Sequence, residues 1–273
     1  MSPVTDPAAL SAVGGTGIAY WAGSARWARA TGRSVMRPSA AAFFAAGLAV
    51  TAIAVASPLD AAVDRTLWAH MVQHVLLLAV AAPLLALGWP LPTLLWVLPP
   101  HWRSRALALR RRALAHHDAH FPSWVITLLA VQAAVMWAWH LPDAYQAAVR
   151  NPALHAAEHL SFLLAATAAW WSVVTGRRSR RGAAAVAALL GSVPGIVLGS
   201  AMVVAPNPWY PLYLHGSRTA ALVDQQVAGV IMWAFGGMAT VIVGAALFLS
   251  WLRRAEAAET VVAPPPAPAA VAQ

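Results

Sequence analysis

Apolar runs of roughly 20 residues recur along the chain, and nearly all of its charge lies in the short stretches between them. That length matches a hydrocarbon layer about 30 Å thick crossed by a helix rising about 1.5 Å per residue. The pattern predicts seven transmembrane helices, at 7–25, 39–57, 66–88, 124–139, 152–174, 182–204 and from 224 or 225 to 251. The first is diluted by Gly14, Gly15, Gly17 and Gly23, and the sixth carries Pro194, where a kink is expected. Asn151 followed by Pro152 is a strong start signal for the fifth, an amide side chain to cap and a proline for the first helical position. Residues 1–254 therefore read as one all-α bundle. Residues 255–273, rich in alanine and proline, read as a disordered tail.

Composition agrees. Hydrophobic residues make up 60% of the 273, and charged residues 10%, against about 25% in an average soluble domain. A net charge of +9 would suggest nucleic acid in a soluble protein. Here the cations mark topology instead, because the connections after the first, third, fifth and seventh runs hold fifteen of the arginines. Arg65, Arg150 and Arg218 stand alone in the other three. A positive-inside bias of that size places the amino terminus outside and the carboxyl terminus in the cytoplasm. The first residues lack the basic start of a signal peptide and read as a short tail retained in the mature chain. There is no cysteine, so disulfides, thiolate zinc sites and iron–sulfur ligation are excluded, and any metal must be held by His, Met, Asp or Glu.

The polar residues inside the apolar runs carry the chemistry. His70 and His74 are four apart, on one face of the third helix, and His155 and His159 repeat the spacing on the fifth. In this topology His70 and His74 lie roughly 6 and 12 Å inside the third helix, and the second pair about 5 and 10 Å inside the fifth. His140 closes the fourth helix at the same outer level, beside Met136. Met71, Glu158, Asp60, Asp64, Asp224 and Met202 fall near it. Each ionisable group at the centre of a membrane helix costs about 2.5–3.5 kcal/mol on insertion scales, so these side chains must face one another. A single histidine in such a helix is more often a hydrogen-bonded packing residue than a ligand. Five at one depth, with carboxylates and thioethers, form a set suited to copper, with acidic groups as ligands or as acceptors that orient the imidazoles. Bis-histidine haem ligation, a copper or proton transporter and a proton relay remain open on residues alone. No nucleophile–base arrangement suggests an enzyme. His116, His117 and His120, in a basic stretch, read as an amphipathic segment on anionic headgroups, and His215 as an accessory or solvated residue.

Five stretches resemble the polytopic CtaG family of cytochrome c oxidase (caa-type) assembly factors. They are SPLD at 57–60, AHMVQHVLL at 69–77, WAWHLPDAYQAAVRNPALHAAEHLSF at 137–162, PWYPLY at 208–213 and DQQVAGVIMWAFGG at 224–237. The resemblance implies a multi-pass protein of a bacterial cell membrane that helps mature the oxidase's copper centre. Its implied partners are oxidase subunits within the lipid bilayer, not nucleic acid. It implies roles for Asp60, His70, His74, His140, His155, Glu158, His159 and Asp224. The expected ligand core is His70, His74, His155 and His159, with His140 and Met71 supplementary and Asp60, Glu158 and Asp224 tuning.

Overall fold

The structure, a computed structural model, describes residues 7–33, 37–88, 90–174, 180–214 and 216–262. Every regular element among them is helical. In chain order they are α1 (Pro7–Thr31), α2 (Pro38–Val55), α3 (Pro58–Val63), α4 (Leu67–Leu87), α5 (Pro90–Leu94), α6 (Pro100–Ala119) and α7 (Phe121–His140). Then come α8 (Pro142–Arg150), α9 (Pro152–Val174), α10 (Arg181–Val204) and α11, which starts at Arg218 and reaches Val262.

Among the described residues five stretches are long and apolar enough to cross a membrane: α2 with α3, α4, α7, α10 and α11. α1 and α9 are as long, 25 and 23 residues, but fall short in apolarity, α1 through its glycines and α9 through His155, Glu158 and His159. α4 is the hub. Half of its apolar window lies inside the protein, against 17–28% for the other four, and it packs on α2, α9 and α11. That central position explains why polar side chains on α4 face protein and not lipid.

Local chemistry accounts for several boundaries. Asn151 Oδ1 accepts from the backbone N–H of Ala153 at 2.9 Å and Leu154 at 3.3 Å, capping α9 as its sequence expects. Directly after His74, α4 widens into a π turn at Leu76–Ala81. There the Ala82 N–H bonds Leu77 O, and Pro83, which has no N–H, follows. The Leu78 carbonyl is thus left without a helical partner. The Trp170 indole of α9 supplies one, Nε1 donating to Leu78 O at 3.0 Å.

α10 and α11 cross at glycines. A Cβ on Gly199 would lie 2.6 Å from Gly229 O, and one on Gly229 would lie 2.5 Å from Gly199 O, so only glycine allows this approach of two backbones. A second π turn, Ile231–Gly236, follows in α11.

Several boundaries differ from expectation. The connection at 58–63 is the helix α3, because Ser57 caps it and Pro58 opens it. α11 begins six residues before Asp224, capped by Ser217, whose hydroxyl accepts from Ala220 N. Helix also continues past residue 254 to Val262, and the remaining tail, 263–273, lies outside the described residues.

The arginine-bearing connections gather at one end. Arg26 donates to Val97 O at 2.7 Å, Arg103 stacks over Trp96 and Arg180 over Phe121. The other end is closed by α3, α8 and the 205–214 loop. There Tyr210 donates to His140 O and Tyr213 to Val63 O.

Candidate metal centre

At that second end, α4, α7 and α9 bring the predicted histidines into one cluster. Ring centroids of His70 and His74 are 4.3 Å apart, and those of His155 and His159 4.2 Å. Between helices, His70 lies 4.9 Å from His155 and 5.8 Å from His159, while His74 lies 5.7 Å from His159 and 5.2 Å from His140. Glu158 sits among them with 0% exposure. Its Oε2 is 3.6 Å from His70 Nε2 and its Oε1 3.5 Å from His74 Nε2.

His70, His74, Glu158 and His159 each offer a ligand atom, all within 4.8 Å of one another and all buried. Bonds of about 2.0–2.2 Å from imidazole or carboxylate would bring such atoms together around a single ion with modest side-chain movement. Two further histidines stand beside the four. His140 donates Nδ1–H to Met136 O at 2.7 Å, which leaves its Nε2 lone pair unused and buried. His155 Nε2 is 3.2 Å from His70 Nε2, and His155 is the partly exposed imidazole of the five.

The polar accounting at this spot does not close. Both nitrogens of His74, both oxygens of Glu158, and Nε2 of His140 and His159 are buried without a hydrogen-bond partner. Buried polar atoms are almost always paired, and leaving one unpaired costs about 1–3 kcal/mol, more for a charge. A cation among these atoms satisfies the Glu158 oxygens and one nitrogen of each imidazole together. The donor set, imidazole nitrogens with one carboxylate, fits a transition metal.

The other predicted residues lie elsewhere. Met71 is fully buried in an apolar cluster with Leu67, Met136, Met202, Tyr145 and Phe162, adjoining the histidines. Asp60 accepts from Gln73 Nε2 at 2.9 Å, and the same nitrogen donates to Ala54 O at 2.7 Å, so this carboxylate ties α3 to α4. Asp224 accepts from the N–H groups of Leu67 at 2.8 Å and Trp68 at 3.0 Å, capping α4 from α11. At the opposite end, His116 and His120 stack on each other and His120 Nδ1 meets His116 O. His215, and the side chain of His117, lie outside what is described.

Sequence reasoning missed Gln73, Tyr145 and Tyr213. Tyr145 on α8 is fully buried, 2.5 Å from His70 Nδ1 and 2.9 Å from the Tyr213 hydroxyl. Burial, followed by the neighbouring Tyr213, pushes its hydroxyl well above the usual tyrosine range, so it is un-ionised at neutral pH. For Gln73 the available signal was an amide between the two histidines of an otherwise apolar helix; for Tyr145, in the polar helix α8, and Tyr213, in a loop, there was none. Below the cluster, a cavity of about 70 Å³ extends from His74 toward the middle of the bundle, past Met136, Gln132, Ser192, Met232 and Thr240.

Comparison with known proteins adds one match. The family model described as cytochrome c oxidase caa3 assembly factor (Caa3_CtaG) covers residues 18–254. No curated protein and no solved structure matches the chain.

Proposed function

The chain belongs to the caa3 cytochrome c oxidase assembly-factor family, and we propose that it binds copper in the α4–α7–α9 cluster and hands it to the oxidase. The observation that carries this reading is the buried Glu158 carboxylate, whose two oxygens have no hydrogen-bond partner and lie 3.6 Å from His70 Nε2 and 3.5 Å from the equally unpartnered His74 Nε2. Such a charge in an apolar bundle needs a cation. Copper suits the set best, since imidazole sites favour it over its first-row neighbours, and buried methionines adjoin the cluster should the ion be Cu(I).

In this reading His70, His74, His159 and Glu158 are the inner ligands. His155, partly exposed, and His140 complete or exchange them. Met71 shapes the apolar wall, and Asp60 and Asp224 hold α3 and α11 against α4. The bundle crosses a bacterial cell membrane seven times, with α1 and α9 as the additional spans. The arginine-rich end is cytoplasmic and the copper end faces outward, where the oxidase subunit that takes up copper is reached. The protein is a carrier and performs no bond-making chemistry of its own.

Elemental analysis of detergent-purified protein tests this. Native protein is expected to hold copper, and His70→Ala and His159→Ala to lose most of it. Equal copper in all three removes the assignment. A bis-histidine haem finds little support, because rings 4.2–5.8 Å apart already fill the space a flat macrocycle needs. The cavity beneath His74, lined by Met136, Met232, Gln132, Ser192 and Thr240, favours a copper transporter as the second reading. Copper flux into proteoliposomes distinguishes the two.

A further inference from the structure

We propose that Tyr145 and Tyr213 are positioning residues that fix the tautomer of His70, holding its proton on Nδ1 so that Nε2 is free to bind metal. The argument follows single protons along one chain of hydrogen bonds. The Val63 carbonyl can only accept, and the Tyr213 hydroxyl donates to it at 2.9 Å. That spends the one proton Tyr213 has, so toward Tyr145, 2.9 Å away, Tyr213 accepts. The Tyr145 proton is then spent on Tyr213. Tyr145 can only accept from His70 Nδ1, at 2.5 Å, and His70 must be the donor. A proton on Nδ1 of a neutral imidazole leaves Nε2 unprotonated, a lone pair that accepts from His155 Nε2 at 3.2 Å in the metal-free protein and is open to a metal once His155 turns away.

His140 reaches the same state by a shorter route, its Nδ1 donating to the Met136 carbonyl. Two imidazoles from two helices are thereby set with the same nitrogen, Nε2, unprotonated. An orienting acceptor on the far nitrogen is the usual support of a metal-bound histidine. Here the acceptor is a hydroxyl, which could donate just as well, and only the anchor at Val63 gives the chain its direction.

That dependence separates the proposal from a merely structural role. Tyr213→Phe frees the Tyr145 proton to turn toward His70 Nδ1 and drives the His70 proton to Nε2, where it blocks the metal. Tyr145→Phe removes the hydroxyl altogether and leaves His70 free to take either form. Adding Tyr145→Phe to Tyr213→Phe therefore repairs part of the damage, whereas two lost packing contacts would add.

The proposal rests on the copper reading for its consequence but not for its first test. In full-length metal-free protein labelled with ¹⁵N-histidine, long-range ¹⁵N–¹H spectra, with His70→Ala as the assignment control, are expected to place the His70 proton on Nδ1 in the native chain. In Tyr213→Phe the proton is expected on Nε2. In competition with a chromogenic Cu(I) chelator, Tyr213→Phe is expected to bind about 10–100-fold more weakly than native, and the double variant to lie between them. A native His70 protonated on Nε2 overturns the proposal, as does an unchanged tautomer in Tyr213→Phe or a double variant as weak as Tyr213→Phe. Should Tyr213→Phe fail to fold, the native tautomer decides alone. Should the native protein bind no copper, the metal reading falls while the spectra still decide this one.

Discussion

Asp224 offers the sharpest separation of a ligand from a support. Its two oxygens accept from the N–H groups of Leu67 and Trp68, donors in the first turn of α4 that no helical carbonyl can satisfy. Thr66, at the capping position, makes no side-chain cap bond of its own, so the cap comes from α11. Losing a capping side chain costs about 0.5–2 kcal/mol, and losing a negative charge at a helix start about 0.3–1 kcal/mol. Asp224→Ala is therefore expected to destabilise the protein by roughly 1–3 kcal/mol. Asp224→Asn should cost about half of that, since one amide oxygen still accepts while its NH₂ group meets an N–H. A drop of several degrees in Tm follows for a chain of this size, readable by thermal unfolding in detergent.

Metal binding should respond differently. Leu67 is one turn before His70, so a frayed start to α4 loosens one imidazole and leaves His74, His159 and Glu158 in place. Copper content of Asp224→Ala should fall less than that of His159→Ala, even though its Tm falls more. The reverse order, an unchanged Tm with copper lost as fully as in His159→Ala, would refute the capping argument and make Asp224 a ligand.

Two other outcomes follow from the packing. Gly199→Ala or Gly229→Ala sets a methyl group against the opposing backbone, which cannot rotate aside as a side chain can; each should lower unfolding stability by at least about 1–3 kcal/mol, and an unchanged Tm would mean that α10 and α11 do not cross there. Burial pushes the hydroxyls of Tyr145, Tyr210 and Tyr213 well above the usual tyrosine range. The folded state thus holds these protons more tightly than the unfolded chain, and the stability so gained is complete below about pH 10 and lost as pH rises past it. Tyrosinate absorbance from these three should appear only together with loss of helicity; a reversible rise near pH 10 in folded protein would show them to be wet.

How much of this could be read from the residues depends on the range of the interaction. The i,i+4 histidine pairs, the Asn151–Pro152 start and the long apolar runs are local in sequence: the structure gathers the two pairs in one cluster, starts α9 at Pro152 and makes the apolar runs helices. The starts of α3 and α11 were also written locally, in Ser57–Pro58 and Ser217, but the charged residues around them suggested loop. The tyrosine chain and the Gln73 and Asp224 contacts span 13 to 157 residues. No periodicity encodes such pairings; they exist only once α3, α8 and the 205–214 loop close over one end of the bundle.

That closure also bears on why the polar atoms left over at the centre point to a ligand and not to poor packing. Around the cluster much of the accounting closes, Gln73 Oε1 apart: Asp60 and Asp224 are bonded, His140 Nδ1 has a carbonyl, Trp170 takes up the Leu78 carbonyl, and Gln225 spans the 205–214 loop from Trp209 N to Met202 O. A fold that satisfies groups as distant as these could have placed an apolar residue at 158, the cheaper choice in a bilayer. Instead it encloses a carboxylate with imidazoles, and on His74, His140 and His159 a buried nitrogen remains unspent. Replacing the charge with an apolar side chain, as in Glu158→Leu, should then raise the stability of the metal-free protein and abolish copper binding. A loss of both together would mean that the carboxylate serves the fold alone.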